Sequence, residues 1–310
     1  MHEYDTIIIG GGPAGLSAGI YAMRSRLKTV LIEKLMPGGQ MMVVDHIENY
    51  PGFPQGISGL DLGMAMHQQA LSLGLEVVAT DCVGVDFSLE TKVVKTSDGE
   101  FRAPTVILAV GATPRRLGIP GEDRLTGKGV SYCATCDGAF FKDKHIAVIG
   151  GGNTAIQDGV FLTRFASKVT IIHRRDRLRA TKILQERAFR NPKVEIIWNT
   201  VAVEILGEQK VEGIVLENNR DNSRRTLPVD GVFVFIGNDP NTEFLMGHVT
   251  LDPQGYIVTD EDMRTNVPGV FAAGDCRRKF LRQMVTAAAD GAIAAVMAEQ
   301  YIEALGDRAL

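Results

Sequence analysis

Four short runs of the chain are apolar without alternation, and each closes on glycine: Tyr4–Ile9 before Gly10, Thr105–Val110 before Gly111, Ala147–Ile149 before Gly150 and Gly231–Ile236 before Gly237. Continuous apolar runs bounded by glycine fit strands buried on both faces, as in a parallel sheet covered by helices. After Gly10 the pattern becomes helical and then returns to an apolar run, Thr29–Glu33. After Gly150 it does the same, with a helix to about Phe165 and the run Val169–His173. The two units repeat at an offset of 140 residues, which places Glu33 on His173. A second echo links Thr105-Val-Ile-Leu-Ala-Val-Gly-Ala-Thr-Pro114 to Gly231-Val-Phe-Val-Phe-Ile-Gly-Asn-Asp-Pro240, both ending in Gly-x-x-Pro. Strand–helix–strand units of this kind predict an α/β protein with two domains of the same doubly wound type. The last stretch, Val267-Pro-Gly-Val-Phe-Ala-Ala-Gly-Asp275 followed by an Ala-rich helix to about Leu305, has no glycine fingerprint of its own. It must complete one of the two sheets.

Length and composition narrow the function. A chain of 310 residues is comfortable for two domains. Its formal charge of −4 argues against a nucleic-acid binder. The chain runs from Met1 into an apolar strand without a basic and then apolar leader, the pattern of a cytoplasmic protein. The apolar stretch Ala287–Ala298 is broken by Asp290 and Gly291, so no segment reads as a membrane span.

The chemistry lies in two loops and one cysteine pair. Gly10-x-Gly12-x-x-Gly15 and Gly150-x-Gly152-x-x-Ala155 each follow a strand and open a helix, the setting that holds a dinucleotide pyrophosphate. Glu33 stands 23 residues after Gly10, where a carboxylate hydrogen-bonds adenosine ribose hydroxyls and disfavours a 2′-phosphate. The second loop has His173 there, then Arg174, Arg175 and Arg179, whose guanidinium groups suit a 2′-phosphate. The second nucleotide is therefore expected to be NADPH. Cys133-Ala-Thr-Cys136-Asp137 ends 13 residues before Gly150. Such a pair can carry two electrons as a dithiol, with Asp137 exchanging protons. Half of a zinc site and an inert buried pair stand as other readings, although a four-cysteine site would need a second close pair and Cys82 and Cys276 are single. Cys82 and Cys276 are expected as packing residues, Met41, Met42, Met64 and Met66 as core, and His46 and His67 as surface or capping residues.

Seven motifs in order give the chain a family resemblance. They are Gly10-Gly-Gly-Pro-Ala-Gly15, Pro37-Gly-Gly-Gln40, Ile47-Glu-Asn-Tyr-Pro-Gly-Phe53, Cys133-Ala-Thr-Cys-Asp-Gly138, Gly150-Gly-Gly-Asn-Thr-Ala155, His173-Arg-Arg-Asp176 and Ala272-Ala-Gly-Asp275. Along its whole length the chain resembles the low-molecular-weight bacterial thioredoxin reductases, flavin-dependent pyridine nucleotide-disulfide oxidoreductases. The resemblance implies two Rossmann-like domains of the three-layer FAD/NAD(P)-binding fold, the second inserted in the first. An FAD domain would comprise 1–112 and 243–310, and an NADPH domain carrying the Cys-x-x-Cys would comprise 113–242. Gly10, Gly12, Pro13, Ala14, Gly15, Glu33, Gly38, Gly39, Gln40, Asn49, Gly111, Asp275, Arg282, Gln283 and Met284 would hold FAD. Gly150, Gly152, Asn153, Thr154, His173, Arg174, Arg175, Arg179 and Gly237 would hold NADPH. Cys133, Cys136 and Asp137 would be catalytic, with no metal. The implied reaction carries a hydride from NADPH to FAD, then electrons to the Cys133–Cys136 disulfide and on to thioredoxin, in a homodimer. Because nicotinamide and dithiol share one domain, it would rotate between half-reactions.

The chain departs from the family's pattern at Gln157-Asp158, where two glutamates are common, and at Ala139, where an aromatic residue is common. Another disulfide acceptor, or a flavoprotein sensor without turnover, are the alternative functions.

Overall fold

Each apolar run becomes a strand, and the glycine at its end becomes the turn into the next element. The computed structural model describes residues 2–44 and 47–308, so His46 lies outside the described residues. The chain divides into two units, Met1–Thr113 with Asp239–Leu310, and Pro114–Asn238.

The first unit begins with β1 (Thr6–Ile9), α1 (Pro13–Arg24), β2 (Thr29–Glu33), α2 (Gly59–Ser72), β3 (Glu76–Ala79) and β4 (Thr105–Leu108). Every residue of β1 and β4 is buried, as the uninterrupted apolar pattern demands. Pro13 opens α1, where its missing N–H has no helical partner to lose. Ser58 caps α2, its Oγ accepting from Asp61 N at 3.0 Å. The second unit contributes β5 (Val130–Ser131), α3 (Ala134–Asp137), β6 (His145–Ile149), α4 (Asn153–Leu162), β7 (Lys168–Ile172), α5 (Lys182–Arg190), β8 (Val194–Ile197) and β9 (Gly231–Val234). The chain then returns to the first unit with β10 (Val270–Ala272) and the long α6 (Met284–Arg308).

Both units are built on a five-stranded parallel sheet. The first has the order β10-β4-β1-β2-β3 and the second β5-β9-β6-β7-β8. The C-terminal stretch without a fingerprint thus completes the first sheet, through Val270↔Val106 and its neighbours. Each unit also carries a smaller sheet with antiparallel pairing, around Lys92–Thr96 in the first and Gly213–Asn218 in the second.

The 140-residue repeat holds at the level of single hydrogen bonds. Gly10 N donates to Ile32 O and Gly150 N to Ile172 O. Leu16 N donates to Gly12 O and Ile156 N to Gly152 O. The second echo is also structural: each Gly-x-x-Pro run holds a sheet strand followed by a short linker strand, Ala112–Pro114 or Asn238–Pro240, and these linkers pair with each other.

α1 lies close against α6 because both present small residues. A Cβ on Gly291 would fall 2.0 Å from Ala14 O, so only glycine permits this approach. Among the described residues no helix is long and apolar enough to cross a membrane.

Some expectations need correction. Met41 and Met66 are core, but Met64 is 55 % exposed, because it falls on the outer face of α2. His67 sits inside α2 with Nε2 buried and unpartnered, so it neither caps the helix nor lies free at the surface. Cys276 is buried and its Sγ reaches Ala273 O, while Cys82 is half-buried at the start of its strand. α4 stops at Leu162 rather than Phe165, where the N–H groups of Thr163, Arg164 and Phe165 turn to the carbonyls three residues back, Val160, Phe161 and Leu162.

Candidate functional site

The first glycine loop requires glycine at two of its three fingerprint positions, Gly10 and Gly15. Gly10 has φ +104°, and a Cβ there would strike Ala109 O at 2.4 Å. A Cβ on Gly15 would meet Gly10 O at 1.8 Å, so the third glycine lets α1 begin against the strand exit. Gly12 faces open space, with nothing within 4 Å of where a Cβ would stand. No side chain caps α1, which leaves the N–H groups of Ala14 and Gly15 to an external acceptor. The second loop repeats this: Gly150 has φ +151° against Phe235 O, Gly152 faces open space, and α4 has no side-chain cap. Asn153 instead uses its Oδ1 to accept from Thr181 N at 2.9 Å, and Thr154 is exposed beside it.

The segment after each second strand folds back onto its loop. Gly38 N donates to Gly11 O at 2.7 Å, and Arg179 N donates to Gly151 O at the same distance. Gly39, at φ +60°, passes so close to Gly12 that a Cβ would approach its Cα at 3.0 Å, with the exposed Gln40 next in line. The Glu33 carboxylate accepts from Gly11 N at 2.6 Å and Leu35 N at 3.0 Å, which leaves it lone pairs for a ribose. His173 occupies the corresponding place but behaves differently. It is 4 % exposed, its Nε2 lies 3.0 Å from Arg177 O, and its ring presses on Gly151. Burial and the neighbouring arginines push its pKa down, although the Arg177 carbonyl acts the other way. His173 therefore shapes the loop from beneath. Arg174, Arg175 and Arg179 are exposed and, among the described residues, make no ion pair. Three unpaired guanidinium groups around one loop suit a dianion.

Residues far apart in sequence gather beside the first loop. Asn49 Nδ2 donates to Gln283 Oε1 at 3.0 Å across 234 residues. Asp275 lies half-buried, its Oδ1 without a partner, and burial raises its pKa despite Lys279 and Arg282. Arg282 has a buried, unpartnered Nε and stacks 4.0 Å over the Tyr256 ring. Orphaned buried acceptors and donors beside an uncapped helix start fit a large polar cofactor such as a flavin dinucleotide. Met284 opens α6 next to Gln283. Gly111, at φ +66°, accepts from Asn241 N, and Gly237, at φ +123°, accepts from Arg115 N. Tyr256 and Arg115 carry no sequence signal that would have picked them out.

In the second unit Cys133 and Cys136 are joined in a disulfide with Cα atoms 5.3 Å apart. Their sulfurs bond to each other, and neither residue is fully buried. Cys133 caps the single turn of α3, its Sγ accepting from Cys136 N at 3.2 Å, and the half-buried Asp137 ends that turn. Glu122, buried, ties this region down by accepting from Leu117 N, Gly118 N and Tyr132 Oη. Ala139 is exposed, so the missing aromatic leaves no hole: Phe141 fills the interior at 5.1 Å from Phe233.

At the other departure, Asp158 lies half-buried on α4, and burial alone pushes its carboxyl from 3.8 to about 6. A carboxyl raised on folding stabilises below its unfolded pKa and loses that contribution as pH rises through the folded value. Asp158→Asn is therefore expected to stabilise the protein by roughly 1 kcal/mol at pH 8 after allowance for solvent screening, with little change at pH 4. Thermal melts at both pH values check this; equal shifts would remove the titration as its cause.

Comparison with known proteins agrees with this geometry. Residues 4–291 match the family model of the pyridine nucleotide-disulphide oxidoreductases. The chain is 51 % identical over 308 residues to the thioredoxin reductase of Peptoclostridium litorale, covering 97 % of this chain and 98 % of that one. It is 50 % identical over 303 residues to that of Listeria monocytogenes serovar 1/2a, covering 97 % and 95 %. The crystal structure of thioredoxin reductase from Streptococcus pyogenes MGAS5005 superimposes with a TM-score of 0.94 at 46 % identity, covering 97 % and 99 %. With paired glycine loops, a disulfide in the second unit and these likenesses over nearly its whole length, the chain belongs to the thioredoxin reductase family of pyridine nucleotide-disulphide oxidoreductases.

Proposed function

We propose that the protein reduces thioredoxin at the expense of NADPH, with FAD as its flavin. Family membership implies a flavin and a nicotinamide nucleotide. The observation that carries the finer reading is the Cys133–Cys136 disulfide on α3, in the same unit as a glycine loop ringed by unpaired arginines. When bound, the nicotinamide supplies a hydride and the flavin passes the two electrons to that disulfide.

The chain's own residues account for the rest. The uncapped starts of α1 and α4 offer N–H groups to the two pyrophosphates, and Glu33 receives the flavin's adenosine ribose. Arg174, Arg175 and Arg179 pair with the 2′-phosphate of NADPH. Reduction opens the S–S bond with two electrons and two protons. The Cys136 N–H, 3.2 Å from Cys133 Sγ, then favours the thiolate on Cys133. Cys133 is accordingly the sulfur that attacks the thioredoxin disulfide, and Cys136 resolves the mixed disulfide. Asp137 exchanges protons with the departing thiol.

In this reading the first unit is the FAD domain and the second the NADPH domain. The linkers Ala112–Pro114 and Asn238–Pro240 let the second turn between half-reactions, in a reducing cytoplasm. The exposed Leu60, Met64 and Leu71 of α2 support a homodimer, which light scattering would weigh directly.

The test is anaerobic NADPH oxidation by the FAD-loaded protein with oxidised thioredoxin. Turnover that needs thioredoxin is expected. Flavin bleaching without such turnover would keep the cofactors and sink thioredoxin as the acceptor.

A further inference from the structure

Asp290 interrupts the apolar face of α6 and is 6 % exposed. Its carboxylate collects donors from three directions. Gly274 N reaches Oδ2 at 3.0 Å, and Lys279 Nζ reaches the same oxygen at 2.6 Å. Arg277 spans both oxygens, with Nε 2.9 Å from Oδ2 and Nη2 3.4 Å from Oδ1. The remaining Nη1 of Arg277 donates to Thr259 Oγ1 at 2.8 Å. The Arg277 and Lys279 side chains are only 14 % and 8 % exposed. One buried carboxylate therefore faces two buried cations and balances only one. Lys279 and Arg282 also act on a second carboxylate, that of Asp275.

This cluster sits against the first glycine loop. Gly274, at φ +81°, comes so close to Ala14 that a Cβ would meet the alanine methyl at 2.9 Å. Gly291, next to Asp290, lies against Ala14 O from α6. The turn Gly274–Asp275 is thus pinned between α1 and α6, and Asp290 holds it through the Gly274 N–H. Asp290 is saturated with donors, whereas the neighbouring Asp275 keeps Oδ1 buried and unpartnered. With Asp290 neutralised, Lys279, which already acts on Asp275, would lose its paired carboxylate and draw Asp275 onto itself.

We infer that Asp290 is a positioning residue for the flavin: it clamps the Gly274–Asp275 turn and the Arg277–Lys279 strap to α6, so that Asp275 stays open as an acceptor and Arg282 and Gln283 stay in place. The inference rests on the reading of the first loop as an FAD site. Asp290 touches no cofactor itself and acts through Gly274 and the two cations.

The experiment strips the flavin and titrates FAD back into wild type, Asp290→Asn and Lys279→Met, with melts of the apo and reconstituted forms. Loss of one charged hydrogen-bond hub is expected to raise the FAD dissociation constant of Asp290→Asn about tenfold or more, with a smaller rise for Lys279→Met. The apo melting temperatures should fall less than the reconstituted ones, which narrows the gap between them. Wild-type affinity in Asp290→Asn, or equal losses in apo and reconstituted forms, would overturn the inference and leave a merely structural cluster. Should Asp290→Asn fail to fold, unchanged FAD affinity in both Lys279→Met and Arg277→Lys would overturn it as well. A wild-type chain that takes up no FAD would overturn the cofactor reading itself, a result visible in the control alone.

Discussion

Cys136→Ser is expected to lower thioredoxin-dependent NADPH oxidation by at least about a thousandfold while leaving bleaching of bound flavin by NADPH intact. The reason is the intramolecular character of the dithiol. Positioned groups react with effective concentrations of roughly 10⁵ M or more, and a lone thiol must instead recruit an external partner for each electron pair. With Cα atoms 5.3 Å apart on one helical turn, Cys133 and Cys136 close a ring that no other sulfur in the chain can replace: Cys276 is buried, and Cys82 begins a strand in the other unit. Burial pushes both of those thiols up to about 11, which leaves them un-ionised at neutral pH. The two single variants should also differ from each other. Asp137 and the Cys136 N–H remain in Cys136→Ser, so Cys133 can still attack and the mixed disulfide should accumulate, visible as a covalent adduct of the two proteins. Cys133→Ser should give much less. Adduct formation favouring Cys133→Ser would reverse the assigned roles, and steady turnover in either variant would remove the disulfide from the pathway.

The second large effect concerns the arginines. Replacing Arg174 and Arg175 together by alanine should raise the KM for NADPH roughly 30- to 100-fold, at about 1 to 1.4 kcal/mol for each exposed charged contact. The kcat should barely move. The 2′-phosphate is remote from the nicotinamide, so the lost interaction is common to ground and transition states and appears in KM. NADH, which lacks that phosphate, should bind the variant as it binds wild type. The wild-type KM for NADPH should climb with salt, because the guanidinium groups are exposed, and the variant should lose most of that dependence. A variant that keeps its preference for NADPH would place the phosphate elsewhere, and Arg177 and Arg179, also exposed beside the loop, would be the next positions to test.

Sequence by itself determined the repeated framework. The buried parallel strands, the glycine turns and the 140-residue register follow from local rules: continuous apolar runs for strands without a wet face, and glycine wherever φ is positive or a Cβ would strike a carbonyl. Those rules act within a few residues, so Gly10, Gly15 and Gly150 could be assigned their places before any coordinates. The Cys-x-x-Cys spacing singled out Cys133 and Cys136 as a pair, and the structure joins them in a disulfide. The arginines after β7 could be read as well, being anchored to the loop by the end of the strand.

Tertiary structure decided the rest, because it depends on which distant segments share a surface. Nothing local distinguishes Met64 from Met66; the face of α2 that packs on the core does. His173 aligned with Glu33 at the level of the repeat, yet the carboxylate reaches the loop's N–H groups while the imidazole lies under the loop and bonds Arg177 O. An acid accepts from backbone N–H groups and a buried imidazole packs, so equal positions gave different roles. Asp290 appeared in the sequence only as an interruption in an apolar helix. Its function as a hub needed Gly274, Arg277 and Lys279 brought onto one carboxylate, which follows from how α6 lies against α1 and the β10 turn. Buried charge is costly unless paired, and pairing across a fold is a property of packing rather than of any stretch of sequence.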